Sequence, residues 1–406
     1  MHRLPPLPAV TAGLLAAFVG FTSSFSVILQ GLTAMGATRE QAASGLMALS
    51  VAMGLCGIVL SLKSRMPISI AWSTPGAALL ATSVMPEGGF SVAVGAFIVA
   101  GLLVILAGVI RPLGRLIGLL PASLANAMLA GILFSLCLAP VHAVAATPAA
   151  GLAVAGTWLL VSRLKRLLAV PAAALVAVGL IVLTHSGDLA TLGNTLPYPV
   201  LVAPGFSLES VIGIALPLFL VTMASQNIPG LAILKVNGFA PPPGPLFAVT
   251  GLFSLAAAPF GGHAVNLAAI TAAICAGEEA GPDRGRRYWS GVVSGLAYVG
   301  FGLAAGLVTA FAGLSPLLIE AVAGLALIGA FSAAVHAAVA ATDEREAATL
   351  TFLVTASGVA IFGISAPFWG LLVGAGVLLI KGRQKRAEPE AAMTASDPSA
   401  EQMRES

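Results

Sequence analysis

The sequence predicts an all-α polytopic membrane protein whose helices form two related halves. Of the 406 residues, 58% are hydrophobic and only 9% are charged, and the mean hydropathy is +1.01. Apolar runs of membrane-spanning length recur along the chain, and the basic residues lie almost entirely in alternate connecting segments. A soluble domain carries roughly 25% charged residues, so a soluble globular fold is excluded.

Fourteen spans are predicted, because a membrane-crossing helix needs about 20 apolar residues. The full-length candidates lie at 9–31, 40–62, 91–110, 122–141, 167–184, 209–232, 288–311, 316–341, 346–363 and 366–381. Shorter or interrupted candidates lie at 67–85, 147–162, 245–258 and 263–277. The polar residues 382–406 are expected to form a disordered cytoplasmic tail.

The basic residues determine the predicted orientation. If the amino terminus is cytoplasmic, all of the 19 Lys and Arg residues except Arg39 fall in cytoplasmic segments. Membrane proteins carry an excess of Lys and Arg in their cytoplasmic loops. Both termini are therefore predicted to be cytoplasmic.

Fourteen spans divide into two sets of seven, and an odd number inverts the second half relative to the first. The third span contains Ser73-Thr74-Pro75-Gly76, and the tenth contains PFGGHAVN before a short apolar run. Polar clusters also match: GFTSSFS lies in the first span and MASQNIPG in the eighth. Interrupted segments at corresponding positions of inverted halves are typical of a transport site.

We expect a half-length helix in spans 3 and 10. Thr74 is a suitable N-cap with Pro75 in the first turn, which predicts a helix over 75–85 after an extended stretch at 68–72. Asn266 is predicted to cap the second half-helix, which ends at Gly277. Two facing helix N-termini offer N–H groups and partial positive charge, so they predict an anion site. The alternative is two proline kinks in which Ser and Thr side chains satisfy the backbone.

These motifs resemble those of the BenE-type benzoate/proton symporter family. The resemblance rests on AWSTPGAALL, ALPLFLVTMASQNIPG, PFGG with AAITAAIC, and FLVTASG, and extends over about residues 5–380. It implies a fold similar to that of the nucleobase/ascorbate and the sulfate/bicarbonate-type anion transporters. It also implies proton-coupled symport of benzoate or a similar aromatic monocarboxylate, by alternating access, across a bacterial inner membrane.

The resemblance further implies a core domain and a gate domain, each assembled from both halves. Residues 5–119 (spans 1–4) and 206–312 (spans 8–11) would form the core, and 120–205 (spans 5–7) and 313–381 (spans 12–14) the gate. The implied partners are an aromatic carboxylate, a proton and the lipid bilayer, without nucleic acid, cofactor or metal. A homodimer is left open.

Eleven candidate substrate-binding residues lie in the two interrupted spans and the two polar clusters. They are Ser24, Phe25, Trp72, Ser73, Thr74, Pro75, Gly76, Gln226, Asn227, His263 and Asn266. Related nucleobase transporters carry a carboxylate in the eighth span, where this chain has neutral Gln226 and Asn227; an amide can donate a hydrogen bond to an anion. For all of them the alternative is capping, packing or interhelical hydrogen bonding.

The carboxylate is predicted to bind the hydroxyls of Ser73 and Thr74 and the N–H groups of Gly76 and Ala77. Proton coupling is predicted to use His263, because imidazole changes its charge near neutral pH and the sequence places no carboxylate at mid-span. The alternatives are a substrate that carries its own proton and a distant loop acid. Glu320 is interpreted as structural.

Other classes of function fit the sequence less well. A membrane enzyme is disfavoured, because the chain lacks His-Glu-x-x-His, an Asp-rich prenyl-type motif and Gly-x-Ser-x-Gly. The remaining alternatives are a passive anion channel and a carrier for another small organic anion or a nucleobase-like substrate. Saturable, gradient-driven accumulation distinguishes a carrier from a channel.

The charge distribution makes the orientation testable by cysteine labelling. A single cysteine introduced at Gly88 or Ser186 should react with a membrane-impermeant maleimide from the periplasm, and one at Gly285 only after the cytoplasmic face is opened. Reaction of all three positions from one side would contradict the predicted topology.

Overall fold

The computed structural model of the chain describes residues 4–110, 121–184 and 196–395. Within these ranges the protein is mostly helical, with two short strands. In the described ranges, eight helical segments are long and apolar enough to cross a membrane, or nine if one bent pair forms a single span; the segments Leu7–Ala34 and Ala122–Ala146 each comprise two consecutive helices. The protein is therefore a multi-pass membrane protein, whereas the count of fourteen spans stays a prediction.

The helices are described in two groups, those up to Thr184 and those from Leu208 onward. The first comprises α1 (Leu7–Thr22), α2 (Phe25–Ala34), α3 (Arg39–Ser64), α4 (Thr74–Thr82), α5 (Gly89–Val109), α6 (Ala122–Cys137), α7 (Ala139–Ala146), α8 (Pro148–Leu164) and α9 (Ala169–Thr184). The second comprises α10 (Leu208–Val236), α11 (Pro243–Ala257), α12 (Ile270–Ala276), α13 (Tyr288–Leu303), α14 (Ala305–Leu314), α15 (Pro316–Val339), α16 (Arg345–Ala356) and α17 (Ala366–Ala395). The strands are β1 (Ile70–Trp72) and β2 (Val265–Leu267).

Several helix boundaries differ from the predicted spans. The predicted span 9–31 is two helices, α1 and α2, separated at Ser23 and Ser24. Helix α16 ends at Ala356, and α17 continues through 382–395 of the predicted tail, where Ala, Glu, Lys and Arg favour a helix. The boundary at 119–120, Ser186 and the tail from 396 lie outside the described residues.

The two strands pair with each other in the buried interior. They are antiparallel, with Ala71 opposite Asn266, and the predicted extended stretch before α4 is thereby confirmed. The pairing continues at both ends, where the Ser73 N–H donates to the Ala264 carbonyl at 3.0 Å and the Ala268 N–H to the Ser69 carbonyl at 2.9 Å. An unpaired backbone group in a bilayer costs several kcal/mol. Each strand therefore supplies the hydrogen-bond partners that the backbone of the other strand needs.

Both predicted N-caps are wrong, although Gly277 is confirmed as the C-cap residue that follows α12. Helix α4 has nine residues, and its N-cap is Ser73, whose Oγ accepts from the Gly76 N–H at 3.1 Å. The strand pairing reaches Ser73, so the helix can begin only at the next residue. Asn266 lies in the middle of β2, and α12 begins after Ala269, which has no capping side chain.

Helices α3 and α13 approach closely through two glycines. A Cβ atom on Gly295 would lie 2.4 Å from the Gly54 carbonyl oxygen, and one on Gly54 would lie 2.5 Å from the Gly295 carbonyl oxygen. Small residues permit such contacts between membrane helices. The contact holds α13, and with it Tyr298, against the buried segments.

This contact predicts that Gly295→Ala destabilises the protein. The added methyl group meets backbone atoms of α3 that cannot move away locally, and overpacking of this kind costs about 1–3 kcal/mol. Gly300→Ala is the matched control on the same helix, since a Cβ atom there has no neighbour within 4 Å. Thermal unfolding of the detergent-solubilised variants measures the difference. Equal melting temperatures of the two variants would contradict the close approach.

Candidate anion-binding site

A cavity of about 60 Å³ lies where the two strands join their helices. Four predicted residues line it, namely Ser24, Trp72, Thr74 and Gln226. They come from the α1–α2 break, the β1–α4 junction and a π-helical turn of α10, Met223–Asn227. π-Helical turns are frequent at functional sites, and this turn directs the Gln226 side chain to the cavity.

The start of α12 forms another wall of this cavity. Ala268, Ala269, Ile270 and Thr271 all line it. No side chain caps this helix, so its first-turn N–H groups are not satisfied by a capping residue. The backbone therefore offers hydrogen-bond donors on this side of the cavity.

The first-turn N–H groups of α4 already have hydrogen-bond acceptors within the protein. Ser73 accepts from the Gly76 N–H through its Oγ and from the Ala77 N–H through its carbonyl, at 3.1 and 2.8 Å. The two N–H groups predicted to bind a carboxylate are thus already bonded. A Cβ atom on Gly76 would lie 2.5 Å from Leu218 Cδ1, so the glycine serves close packing against α10.

Besides the Tyr298 hydroxyl, Thr74 and Gln226 are the polar side chains of the cavity that form no hydrogen bond with a described residue. Both are partly exposed. Neither side chain has a hydrogen-bond partner within the described part of the chain. A hydroxyl and a carboxamide can each donate to an anion, so together with the start of α12 they surround the cavity with neutral donors.

Trp72 is held rigidly at the edge of the cavity. Its Nε1–H donates to Ser24 Oγ at 2.8 Å, and Ser24 Oγ in turn donates to the Gly20 carbonyl at 3.0 Å. The indole is 2% exposed and packs against Phe21, with ring centroids 5.5 Å apart. Phe25 stacks on Phe21 at 5.8 Å instead of lining the cavity. The Ser24–Trp72 bond therefore connects the α1–α2 break to β1.

Three other predicted residues form hydrogen bonds with backbone groups near the cavity. Asn227 Oδ1 accepts from the Leu267 N–H at 2.9 Å and so joins α10 to β2. Asn266, with its amide oriented to satisfy both atoms, accepts from the Ser73 N–H at 2.9 Å. His263 is fully buried, and its Nε2 lies 2.9 Å from the Ser73 carbonyl oxygen. These three residues and Pro75 are buried outside the cavity lining.

Three further residues at or next to the cavity are not among those predicted from the sequence. Thr222 Oγ1 lies 2.8 Å from Ser73 Oγ, Thr271 Oγ1 lies 2.8 Å from Ser69 Oγ, and Tyr298 lines the cavity. Thr222 precedes Gln226 by four residues, so a helical pattern in the eighth span could have indicated it. No sequence signal places Tyr298 there, because it lies in an uninterrupted helix.

Solved structures of anion transporters share this fold. The transmembrane domain of the cyanobacterial bicarbonate transporter BicA matches with a TM-score of 0.56 and 14% identity, over 91% of this chain and 97% of that chain. The overall structure of SLC26A9 matches with a TM-score of 0.60 and 14% identity, over 92% of this chain and 66% of that chain. At this level of identity the matches establish the fold, and together with the apolar helices they define the class of this protein as a multi-pass membrane protein.

The particular family follows from the sequence comparisons. The chain belongs to the family described as benzoate membrane transport protein, which matches residues 4–380. The inner membrane protein YdcO of Escherichia coli is 39% identical over 92% of this chain and 95% of its own length. The benzoate membrane transport protein of Acinetobacter baylyi is 33% identical over 91% of this chain and 93% of its own length. The protein is therefore a multi-pass inner-membrane protein.

The neighbouring amides Gln226 and Asn227 are expected to respond differently to substitution. Asn227→Ala leaves the buried Leu267 N–H without its acceptor, which costs about 1–3 kcal/mol of stability. Gln226→Ala is the matched control, since its side chain bonds to no described residue. Thermal unfolding in detergent measures both variants. A Gln226→Ala variant as unstable as Asn227→Ala would contradict this division of roles.

Proposed function

We propose that the protein is a secondary active transporter that takes up benzoate or a similar aromatic monocarboxylate together with a proton. The observation that carries this proposal is the cavity bounded by the uncapped start of α12, the Thr74 hydroxyl and the Gln226 carboxamide. All three groups are neutral donors, which suit a carboxylate and avoid burying an uncompensated cation. The names of the family and of the Acinetobacter baylyi relative support benzoate as the substrate.

The carboxylate would bind the first-turn N–H groups of α12, with Thr74 and Gln226 on the opposite side. The ring would lie against the apolar wall, which includes Met53 and Trp72. Ligand cavities usually measure about 300–1,000 Å³, whereas this one measures about 60 Å³. Binding therefore requires the wall to move outward, as alternating access demands.

We further propose fourteen spans in two inverted sets of seven, with cytoplasmic termini and a core domain that moves against a gate domain. Helix α6 of the proposed gate packs against α4 and α10, and α15 packs against α2. The short helices α4 and α12 would be the half-helices of spans 3 and 10. A displacement at the α6 contact would open the cavity to one side of the membrane. Whether the protein acts as a homodimer is a separate question that size measurements in detergent can answer.

Proton coupling is proposed at His263. Its Nε2–H donates to the Ser73 carbonyl, and its buried Nδ1 has no partner among the described residues. Nδ1 would take the proton, and a carboxylate bound nearby would stabilise the resulting charge. By linkage, proton and anion would then raise each other's affinity by the same factor. The bond to Ser73 gives a physical connection, because Ser73 caps the helix that begins with Thr74.

Uptake of labelled benzoate into proteoliposomes tests the function directly. With an acidic exterior, the wild-type protein should concentrate benzoate, and a protonophore should abolish the gradient. Thr74→Val should raise the KM about fivefold, because a donor worth about 1 kcal/mol is lost. Thr82→Val is the control at the other end of α4, where the hydroxyl bonds only within its own helix.

His263→Gln separates coupling from transport in the same assay. This variant should still exchange benzoate across the membrane but should no longer accumulate it in response to the pH gradient. If it still concentrates benzoate, His263 is not the coupling residue. Conductance without saturation in the wild-type protein would instead indicate a channel.

A further inference from the structure

A second and much larger cavity lies along α2. It measures about 620 Å³ and shares no lining residue with the cavity between the helix starts. One wall is formed by α2 and the first residues of α3, and the other by the end of α14 and the start of α15. We call it the Arg39 cleft, because the side chain of Arg39 lines it. Its size is within the range of about 300–1,000 Å³ that is usual for ligand sites.

A polar stripe on α2 faces the Arg39 cleft. Ser26, Gln30 and Thr33 all line it and are spaced as one face of a helix. Ser26 is 1% exposed, and neither its Oγ nor the buried Nε2 of Gln30 has a hydrogen-bond partner among the described residues. A buried polar group without a partner costs about 1–3 kcal/mol. A ligand that accepts hydrogen bonds from this stripe would remove that cost.

Arg39 supplies a positive charge at the mouth of the same cleft. The side chain is exposed and forms no salt bridge within the described ranges. It occupies the first turn of α3, where a positive charge is unfavourable for the helix dipole. The helix dipole therefore does not favour an arginine at this position, and its charge can attract an anion to the cleft.

We propose that the Arg39 cleft is a second binding site for a small organic carboxylate, which it holds through Arg39, Gln30 and Ser26. This inference rests on the proposed function. It adds a site at which the substrate is held before it reaches the cavity between the helix starts, which we call the inner cavity. The two sites lie along one chain segment, since Ser24 lines the inner cavity and Ser26 lines the cleft. The cleft is large enough for an aromatic carboxylate, whereas the inner cavity, at about 60 Å³, is too small for one.

Glu320 limits the affinity of this second site. It is the one acidic residue among those that line the cleft, and it projects from the opposite wall, on α15. In its ionised form it repels a bound carboxylate. The cleft therefore holds the substrate weakly enough to release it again, and Glu320→Gln should tighten binding there.

Transport kinetics in proteoliposomes test the role of Arg39. Arg39→Gln should raise the KM for labelled benzoate about tenfold at low ionic strength, with little change in kcat, and the difference should shrink as salt screens the charge. Glu320→Gln should lower the KM. Lys63→Gln is the matched control, because it removes one positive charge from the other end of α3 and lines neither cavity.

Measurements of equilibrium binding distinguish a defined benzoate site in the Arg39 cleft from general electrostatic attraction of the anion by Arg39. A Thr74→Val/Gln226→Leu double variant in detergent should bind labelled benzoate about 25-fold more weakly in the inner cavity, because two donors worth about 1 kcal/mol each are lost. It should retain the second site unchanged, and adding Arg39→Gln should abolish that site. Absence of this second site in the double variant, or a second site that Arg39→Gln does not change, would overturn the proposal for the Arg39 cleft while leaving the transport function intact. A wild-type protein that neither binds nor transports benzoate would overturn both proposals.

Discussion

The antiparallel pairing of β1 with β2 is the interaction on which the rest of the buried structure depends. Each strand interrupts a helix inside an apolar protein, and each would leave backbone groups without partners if it stood alone. Paired through Ala71 and Asn266, they allow two short helices to begin in the protein interior. The cavity exists because these helices start there.

The side chains around the pairing have two distinct tasks. Ser73, Asn227 and His263 bond to backbone groups next to the strands and hold the helix starts in position. Thr74 and Gln226, each a direct neighbour of one of these residues, instead face the cavity. The two helix starts also differ, since Ser73 caps α4 while α12 has no capping side chain. Donors for an anion are therefore concentrated at α12.

Much of this arrangement follows from the sequence, and the exceptions have physical causes. Composition predicted a membrane protein, and the motifs around Thr74 and Gln226 indicated the segments that form the cavity. The caps could not be predicted, because strand pairing between residues almost 200 positions apart decides where each helix begins. Tyr298 and the Arg39 cleft likewise depend on how distant helices pack, which local patterns do not encode.

In the proposed site, a carboxylate binds at the start of α12 and contacts Thr74 and Gln226. A crystal structure with 4-bromobenzoate, located by the anomalous scattering of bromine, tests this most directly. Carboxylate oxygens are expected at about 2.7–3.2 Å from the first-turn N–H groups of α12 and from Thr74 Oγ1. Bromobenzoate bound only elsewhere, with the start of α12 unchanged and Thr74 and Gln226 out of contact, would contradict it.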